Sequence, residues 1–478
     1  MRVFFATSEL APLAQSGGLG DAVAGLARAL AARGHEVVSL LPAYRAALSH
    51  PECPKLSDSG AVRLAGPFGD VRGRWLSGQL AERHELRLLD VPPFFDRAGL
   101  YGESAGTYGD EAARFISFAR AVALRAYEER PAVLVAHDWH AALSICVLRT
   151  LFDRGGARGI ATVQVLHNNA YQGRQPPSAM SWTHLPDELF SPDGLEFFGD
   201  MSLLKGGIIW ADRIVAVSPG YAREIQTAEF GLGLEGVYQL RRRRLVGIAN
   251  GLDVERFDPA TDKALPERFQ TAAPGGKRTC RERALAELGL RKPEPGRFLV
   301  GIGRLTAQKG WDVLAAALPA LVASGATLAL LGEGERAIAE SLTAAAKKYP
   351  DRVHVSISWD ERAARRLYAA ADAVLVPSRF EPCGLVQLTA QRYGALPIAH
   401  RTGGLADTIR DGETGILFSP LAPESLVAAA GRAAKLVAER GLERVARELL
   451  RVDVSWTRPA AEWETLLDDV AREARARI

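Results

Sequence analysis

The sequence is poor in the features that mark secreted proteins, proteins with structural zinc sites and membrane-spanning proteins. Among its 478 residues it has only four cysteines, scattered without C-x-x-C spacing: Cys53, Cys146, Cys280 and Cys383. This pattern indicates neither a disulfide framework nor a zinc site. No apolar run approaches the roughly 18 residues of a membrane span, and the apolar start at Met1–Ala6 stops too early for a signal peptide. We therefore expect a soluble, cytoplasmic protein.

Strong charge and compositional bias are also absent. The formal net charge is only +3, so nothing global indicates a nucleic acid or an acidic membrane surface as partner. Hydrophobic residues make up 47% and charged residues 24% of the chain, the balance of a globular protein without disordered tracts. A chain of this length is too long for one ordinary core, so we expect two or three domains. No pattern in the sequence indicates an oligomeric state.

Two series of alternating strand and helix patterns run along the chain. The first begins with a strand at Arg2–Ala6, a Gly-containing loop at 8–20, a helix at Asp21–Arg33 and a strand at Glu36–Leu41. The second begins near Phe298 and again alternates short apolar runs with helical patterns. Each series predicts a parallel, doubly wound sheet.

The expected fold is therefore α/β, with two facing Rossmann-like domains and a central cleft. We place the N-terminal domain at residues 1–249 and the C-terminal domain at 250–455. Near this junction the composition changes to a basic run, 241–244, followed by a polar, Pro-containing passage. The remaining residues, 456–478, are amphipathic. They could cap the second domain or cross back to the first.

One stretch of the second series, Pro377–Leu385 (PSRFEPCGL), joins a buried strand to a helical pattern. In open α/β sheets ligands bind at the carboxyl ends of strands, where the N–H groups of the following helix attract anions. A phosphate would repel a carboxylate at that place, so we expect Glu381 to face an uncharged, hydroxyl-rich part of the ligand. The stretch predicts a ligand that is half phosphate and half sugar.

Two Gly-containing loops extend this prediction. The first, Gln15–Asp21 (QSGGLGD), is not a dinucleotide fingerprint, because Val23 stands where the third glycine belongs. It predicts either a backbone approach to a phosphate or sugar, or a tight turn alone. The second loop, 303–310, carries Arg304 and Lys309, two cations that can neutralise a diphosphate leaving group without a metal. The alternative is that both side chains are simply solvated.

Two histidine-containing runs also follow buried strands. The cluster 137–140 (HDWH) lacks the glutamate and the i, i+4 spacing of a helical zinc site, so no metal is expected. Asp138 could hold sugar hydroxyls or cap a helix. His167 begins a second polar run, 167–173, where a lone histidine would usually be structural.

Taken together and in order, eight runs resemble those of bacterial glycogen synthases and the related plant starch synthases. They span nearly the whole chain: SGGLGD (16–21), HDWHAAL (137–143), LHNNAYQG (166–173), AEFGLGLEGV (228–237), NGLD (250–253), GRLTAQKG (303–310), PSRFEPCGL (377–385) and RTGGLADTI (401–409).

The resemblance implies a GT-B glycosyltransferase with a C-terminal helix that returns to the first domain. It implies transfer of glucose from ADP-glucose to the non-reducing end of an α-1,4-glucan, with retention of anomeric configuration and without a metal or other cofactor. The partners would be a nucleotide sugar and glycogen.

The resemblance also assigns roles to individual residues. The catalytic residues would be His167, Glu381, Arg304 and Lys309. The donor would be bound by Gln15, Gly18, Asp138, Asn250, Arg304, Lys309, Trp359, Glu381, Cys383, Gly384 and Leu385. Glu9 and Asp21 would face the acceptor.

Three positions depart from the family pattern. Gln15 stands where the family has a lysine, and loss of that charge predicts roughly ten-fold weaker donor binding or a changed nucleotide preference. Trp359 replaces an adenine-stacking tyrosine, and Thr389 replaces a second glutamate of related retaining enzymes. Glycogen synthases tolerate a different residue at the place of Thr389, so the alternatives depend on Gln15: a glucosyltransferase with another donor or acceptor, or a weakly active or non-catalytic glucan-binding protein.

Overall fold

The computed structural model describes residues 1–103, 106–153 and 156–477. The chain folds into two compact units. Unit 1 comprises Met1–Gly251 and Trp456–Ile478, and unit 2 comprises Leu252–Ser455. The amphipathic C-terminal segment thus belongs to unit 1, although its last residue, Ile478, lies outside the described residues. No helix in the described ranges is long and apolar enough to cross a membrane.

The strands of the described chain are short and numbered in chain order. In unit 1 they are β1 (Arg2–Ala6), β2 (Glu36–Pro42), β3 (Ser57–Leu64), β4 (Val71–Ala81), β5 (His84–Asp90), β6 (Gly102–Glu103), β7 (Gly106–Thr107), β8 (Val133–His137), β9 (Ala161–Leu166), β10 (Arg174–Gln175), β11 (Glu196–Phe197), β12 (Asp200–Ser202), β13 (Arg213–Ala216) and β14 (Leu245–Gly247). In unit 2 they are β15 (Phe298–Ile302), β16 (Thr327–Leu331), β17 (Val353–Ser356), β18 (Ala373–Val376), β19 (Leu396–His400) and β20 (Ile416–Phe418).

The α-helices alternate with these strands over most of the chain. Those of unit 1 are α1 (Gly18–Ala32), α2 (Arg45–Ser49), α3 (Pro92–Phe95), α4 (Glu111–Glu129), α5 (Asp138–Leu151), α6 (Met180–Thr183), α7 (Leu203–Trp210), α8 (Pro219–Glu224), α9 (Glu235–Leu240) and the C-terminal α18 (Thr457–Arg475). Those of unit 2 are α10 (Gly276–Glu287), α11 (Trp311–Ala323), α12 (Arg336–Lys347), α13 (Glu361–Ala370), α14 (Val386–Arg392), α15 (Gly403–Thr408), α16 (Pro423–Arg440) and α17 (Leu442–Leu449).

Unit 1 is built on a nine-stranded sheet with the order β14-β13-β9-β8-β1-β2-β5-β4-β3. The strands from β14 to β5 are parallel, but β4 and β3 extend the edge in antiparallel fashion. The prediction of a purely parallel sheet is therefore wrong for this edge. β3 and β4 mix exposed, half-buried and buried positions, whereas β8 and β9 are buried throughout. Antiparallel strands tolerate this one-sided exposure, and strands covered on both faces do not.

The first helix also begins earlier than the sequence predicts. α1 starts at Gly18, so Gly18–Gly20 form its first turn and do not belong to the loop. A Cβ on Gly20 would lie 3.2 Å from the backbone nitrogen of Ala11. The glycine lets the turn pack closely against the preceding loop, where Ala11 N–H donates to the Gly20 carbonyl at 3.1 Å.

Unit 2 has a six-stranded, fully parallel sheet with the order β17-β16-β15-β18-β19-β20. Alternate strand residues enter two separate apolar clusters. Val300 and Ala329 lie in one cluster, whereas Leu299 and Leu328 lie in the other. Because side chains of a strand alternate between its faces, helices cover both faces of this sheet.

Helix α18 closes unit 1 against its first helix. Trp456 and Trp463 are buried on this segment, with 7% and 2% of their surface exposed. A Cβ added to Gly25 of α1 would lie 2.1 Å from Nε1 of Trp456, so the indole occupies the space that a side chain at position 25 would need. Near the end of the helix Arg477 forms an ion pair with Asp212 at 2.7 Å.

Candidate active site

The sheet of unit 2 places two predicted loops at one topological switch point. From β15 the chain runs outward to β16 and β17, then returns to β18 on the other side of β15. Ligands of such sheets bind outside the carboxyl ends of the strands at this point of reversal. The loop 303–310 follows β15 and the stretch Pro377–Leu385 follows β18, so the fold brings them together.

The two loops are in direct backbone contact. Arg379 N–H donates to the Gln308 carbonyl at 2.9 Å. Gly310 has a φ of +68°, and a Cβ there would lie 1.9 Å from the Pro377 carbonyl oxygen. Only glycine fits this approach, because a side chain would meet both the strained φ and the neighbouring backbone.

Lys309 and Glu381 form an ion pair across these loops. Lys309 Nζ lies 2.6 Å from Glu381 Oε2, which also accepts a hydrogen bond from the Ser378 hydroxyl at 2.9 Å. Glu381 is only 6% exposed and Ser378 1% exposed. The sequence predicts that Lys309 binds a diphosphate. In this structure its ammonium group is paired with the Glu381 carboxylate.

Arg304 differs from Lys309 in its surroundings. Its side chain is exposed and makes no ion pair within the described ranges, while its carbonyl accepts a hydrogen bond from Trp311 Nε1 at 2.7 Å. The backbone of Arg304 is thus fixed and its guanidinium is open to a ligand. Such a side chain can bind phosphate oxygens in bidentate fashion.

The residues that follow Glu381 form a tight corner at the start of α14. Cys383 is 4% exposed, and Gly384 has a φ of +78°. Leu385 is the residue before the helix, and its carbonyl accepts the hydroxyl hydrogen of Thr389 at 2.8 Å. Thr389, which stands where related retaining enzymes have a second glutamate, therefore stabilises its own helix.

Trp359 lies beyond the carboxyl end of β17, on the same edge of the sheet as these loops. It is 52% exposed, which leaves much of its indole surface open to contact with a planar ring. The next residue, Asp360, caps α13 by accepting hydrogen bonds from the N–H groups of Arg362 and Ala363. The cap fixes the chain direction just after the tryptophan.

Unit 1 has its own switch point between β1 and β8. Glu9 follows β1 and is 3% exposed. Its carboxylate accepts hydrogen bonds from the Ser16 N–H and hydroxyl at 2.9 and 2.6 Å, from Gly17 N–H at 3.3 Å and from the Tyr101 hydroxyl at 2.9 Å. Glu9, expected to face an acceptor, here holds the Gly-rich loop in shape.

Gln15 and Asp21 are bound to each other at the two ends of that loop. Gln15 Nε2 donates to Asp21 Oδ2 at 2.5 Å and to the Gly17 carbonyl at 3.1 Å. Gln15 and Gly18 are exposed and Asp21 is part-buried. The amide at position 15 is therefore directed to its own loop, whereas a lysine there would add a positive charge.

Asp138 and His167 come together at the carboxyl ends of β8 and β9. Asp138 Oδ1 accepts the backbone N–H of His167 at 2.7 Å and, less closely, that of Asn168 at 3.4 Å. Asp138 has a φ of +54°, a left-handed conformation that is uncommon for residues other than glycine. Burial raises the pKa of Asp138 to about 7, although the two backbone N–H groups oppose this shift.

Asn250 lies near the end of unit 1, beyond β14. Its side chain is part-buried and makes no hydrogen bond within the described part of the chain. The structure thus groups Glu9, Gln15 and Asp21, groups Asp138 with His167, and groups the loops of unit 2, but gives Asn250 no such partner.

Three residues that contact the predicted site residues were not themselves predicted from the sequence. Tyr101 and Ser378 bind the two glutamates, and His137 lies with Nδ1 3.0 Å from Nε2 of His167. Ser378 stands inside the PSRFEPCGL run and His137 inside HDWH, so both motifs contained the signal. Tyr101 lies in none of these motifs, and its partner Glu9 is 92 residues away, so no local pattern indicates this contact.

The described residues contain no group of three or more His, Cys, Asp or Glu side chains that could hold a metal ion.

The chain matches two known domain families. The starch synthase catalytic domain matches residues 2–240, and the glycosyl transferases group 1 family matches residues 296–435. The first match lies in unit 1 and the second lies in unit 2.

Curated relatives match over the full length. Glycogen synthases of Rhodopseudomonas palustris (strain TIE-1) and Myxococcus xanthus (strain DK1622) are 39% and 38% identical to this chain. The alignments cover 99% of this chain and 99% or 100% of the relative.

Solved structures agree with this. The catalytic domain of starch synthase IV from Arabidopsis thaliana, bound to ADP and acarbose, superposes with a TM-score of 0.90 at 29% identity. The match covers 98% of this chain and 99% of that one. A sucrose-phosphate synthase from Thermosynechococcus elongatus, at 19% identity and a TM-score of 0.62, shares the fold. The chain belongs to the glycogen synthase family, with the starch synthase type of catalytic domain and the GT-B glycosyltransferase fold.

Proposed function

We propose that this protein is a glycogen synthase that transfers glucose from ADP-glucose to the non-reducing end of an α-1,4-glucan. The observation that carries the proposal is the switch point of unit 2, where Arg304, Lys309 and Glu381 follow adjacent strands. Two cations suit a diphosphate, and a nearly buried carboxylate suits sugar hydroxyls. The full-length similarity to glycogen synthases supports this division of roles, as does the ADP and acarbose bound by the plant relative.

The proposal gives each predicted residue a role. Arg304 and Lys309 bind the diphosphate, the backbone at 383–385 borders it, and Trp359 stacks on the adenine. Glu381, with Asp138 and Asn250, binds the glucosyl hydroxyls. Gln15 and Gly18 contribute to the donor from the Gly-rich loop, and Glu9 and Asp21 act on the acceptor side.

The proposed chemistry is a front-face displacement with retention. The bond between the anomeric carbon and the β-phosphate oxygen breaks, and the negative charge on the leaving ADP is stabilised by Arg304 and Lys309. The same phosphate oxygen accepts the proton of the incoming 4-hydroxyl, whose oxygen forms the new bond to the anomeric carbon. The carbonyl oxygen of His167 stabilises positive charge on the sugar. These steps require no metal, because the two side chains supply the positive charge.

Gln15 favours one alternative, a different nucleotide preference. A neutral amide paired with Asp21 lacks the charge that the family's lysine offers to a donor phosphate. A glucosyltransferase that prefers another nucleotide sugar would keep Glu381 and the two cations unchanged.

A two-donor assay tests the proposal. Purified protein is incubated with glycogen and labelled ADP-glucose or UDP-glucose, and the product is digested with β-amylase, which removes maltose from non-reducing ends. We expect label from ADP-glucose to be incorporated into glycogen, and we expect β-amylase to release that label as maltose. Preferred use of UDP-glucose would establish the alternative, and glycogen binding without transfer from either donor would overturn the proposal.

A further inference from the structure

A buried histidine, His137, contacts His167 in a way that the proposed chemistry does not use. His137 is the last residue of β8 and is fully buried. β8 pairs in parallel with β9, with His137 opposite Val165, so His167 lies two residues further on and on the same face of the sheet. The rings meet with His137 Nδ1 3.0 Å from His167 Nε2.

Further contacts hold the ring of His137 and the backbone of His167. The ring of His137 also packs against Phe5, with ring centroids 5.0 Å apart. His167 is tied at its backbone by Asp138, the residue after His137. Burial holds the pKa of His137 well below its usual value and lowers that of His167 to about 3. Two neutral imidazoles therefore share one N–H···N hydrogen bond at neutral pH.

The hydrogen-bond partners of the four ring nitrogens decide which ring donates. Nε2 of His137 is buried and has no hydrogen-bond partner in the described residues. If His167 donated, the proton of His137 would sit on this nitrogen as an unpaired buried N–H. If His137 donates from Nδ1, the same nitrogen carries only a lone pair. Unpaired buried N–H groups are the rarer of the two in proteins.

We propose that His137 is a positioning residue whose Nδ1–H donates to Nε2 of His167 and so fixes the proton of His167 on Nδ1. That nitrogen makes no hydrogen bond within the described ranges, and His167 is only part-buried. His167 is thereby presented as a hydrogen-bond donor to an oxygen of the glucosyl group. The identity of this ligand rests on the proposed function, whereas the tautomer does not.

Nitrogen NMR of the full-length protein labelled with ¹⁵N-histidine tests the tautomer without turnover. The His167 signals are assigned by their loss in His167→Gln. We expect a protonated Nδ1 and an unprotonated Nε2 for His167 at pH 7. A proton on Nε2 of His167 in the wild-type protein would overturn the proposal, whatever the activity assay shows.

Substitutions then separate positioning from packing. His137→Phe keeps the ring volume but has no donor, and we expect kcat to fall about ten-fold, the effect of one hydrogen bond, with an unchanged KM for glycogen. His137→Asn places an amide N–H near the position of Nδ1 and should restore most of kcat and the wild-type tautomer of His167.

His140 provides the matched control. It is also buried, has an Nδ1 without a hydrogen-bond partner and stacks on Trp139, but within the described residues it makes no hydrogen bond or ring contact with His167. His140→Phe should leave the tautomer of His167 unchanged. If His137→Asn is folded and no more active than His137→Phe, or if His140→Phe shifts the tautomer equally, the positioning role is wrong.

Discussion

Lys309 and Glu381 neutralise each other at the carboxyl ends of β15 and β18. Their side chains are 20% and 8% exposed, so loss of either partner leaves the other charge poorly hydrated. A ligand phosphate would therefore bind a lysine whose position the glutamate already fixes. In the proposed function, the pair would link donor binding to the placement of the carboxylate that holds the sugar.

Substitutions at this pair should separate stability from catalysis. Lys309→Ala leaves Glu381 with the Ser378 hydroxyl as its remaining side-chain partner, and we expect a loss of about 1–3 kcal/mol in unfolding free energy. Adding Glu381→Gln should recover part of this stability, because an amide tolerates burial better than a carboxylate. Both variants should have less than about one hundredth of wild-type kcat, the range for loss of one electrostatic donor. Chemical denaturation and the glycogen assay give the two readouts, and near-normal turnover in the double variant would contradict the assigned roles.

Asp138 should make stability depend on pH. Its pKa rises from 3.8 to about 7 in the folded protein, so the unfolded chain releases this proton at lower pH than the folded chain does. The stabilisation is complete below the unfolded pKa and is lost as the pH rises through the folded pKa. We expect Asp138→Asn, which stays neutral, to gain about 3 kcal/mol relative to wild type between pH 5 and pH 8. Urea denaturation at several pH values measures the difference, and a constant difference would show that the folded carboxyl is already ionised at pH 5.

At the residue scale, the sequence identified side chains that follow strands but not the pairs they form. Glu381 and Lys309 stand in loops whose position after buried strands is visible in the sequence. Their ion pair joins residues 72 apart, and no spacing rule predicts it. The same holds for the contact of Glu9 with Tyr101.

At the element scale, prediction succeeded where a strand is buried on both faces. β1 coincides with the predicted strand at Arg2–Ala6, and β2 extends the predicted strand at Glu36–Leu41 by one residue, because strands of this kind are largely apolar runs next to polar residues. β3 and β4 were missed because they are partly exposed and carry Gly and charged residues. The start of α1 was misplaced because its first turn contains two glycines, which normally indicate a loop.

Glycines in two helices offer a test of the packing of α18 on α1. Gly25→Ala introduces a Cβ where the Trp456 indole lies, and we expect a loss of about 1–3 kcal/mol from overpacking. Gly431 of α16 has no neighbour within 4 Å of an added Cβ, so Gly431→Ala should instead stabilise by about 0.5–1 kcal/mol. Thermal denaturation of both variants measures these opposite signs. A stabilising Gly25→Ala would mean that the indole can move at no cost.

At the scale of the whole molecule, the two cations proposed to bind the donor diphosphate lie in one unit. Arg304 and Lys309 both belong to unit 2, which has its own apolar core. A ligand that binds only the folded state stabilises it by mass action, by about 2.7 kcal/mol at one hundred times its dissociation constant.

ADP alone should therefore raise the melting temperature of the protein. Arg304→Ala should reduce this shift without changing the melting temperature of the protein alone, because the exposed guanidinium makes no ion pair within the described residues. Gly25→Ala, a change in unit 1, should lower the starting temperature and keep the shift. An ADP shift of full size in Arg304→Ala would place the diphosphate elsewhere.

The return of α18 to unit 1 has a consequence for how the chain is made. Residues 1–251 leave the ribosome before unit 2, but the helix that covers α1 is synthesised after unit 2. Unit 1 is thus a split module with unit 2 inserted in it, and it can be completed only after translation of unit 2 has ended. An exchange of unit 1 between relatives must carry the segment from Trp456 onward, and a chain cut at Ser455 would lose a part of unit 1 and none of unit 2.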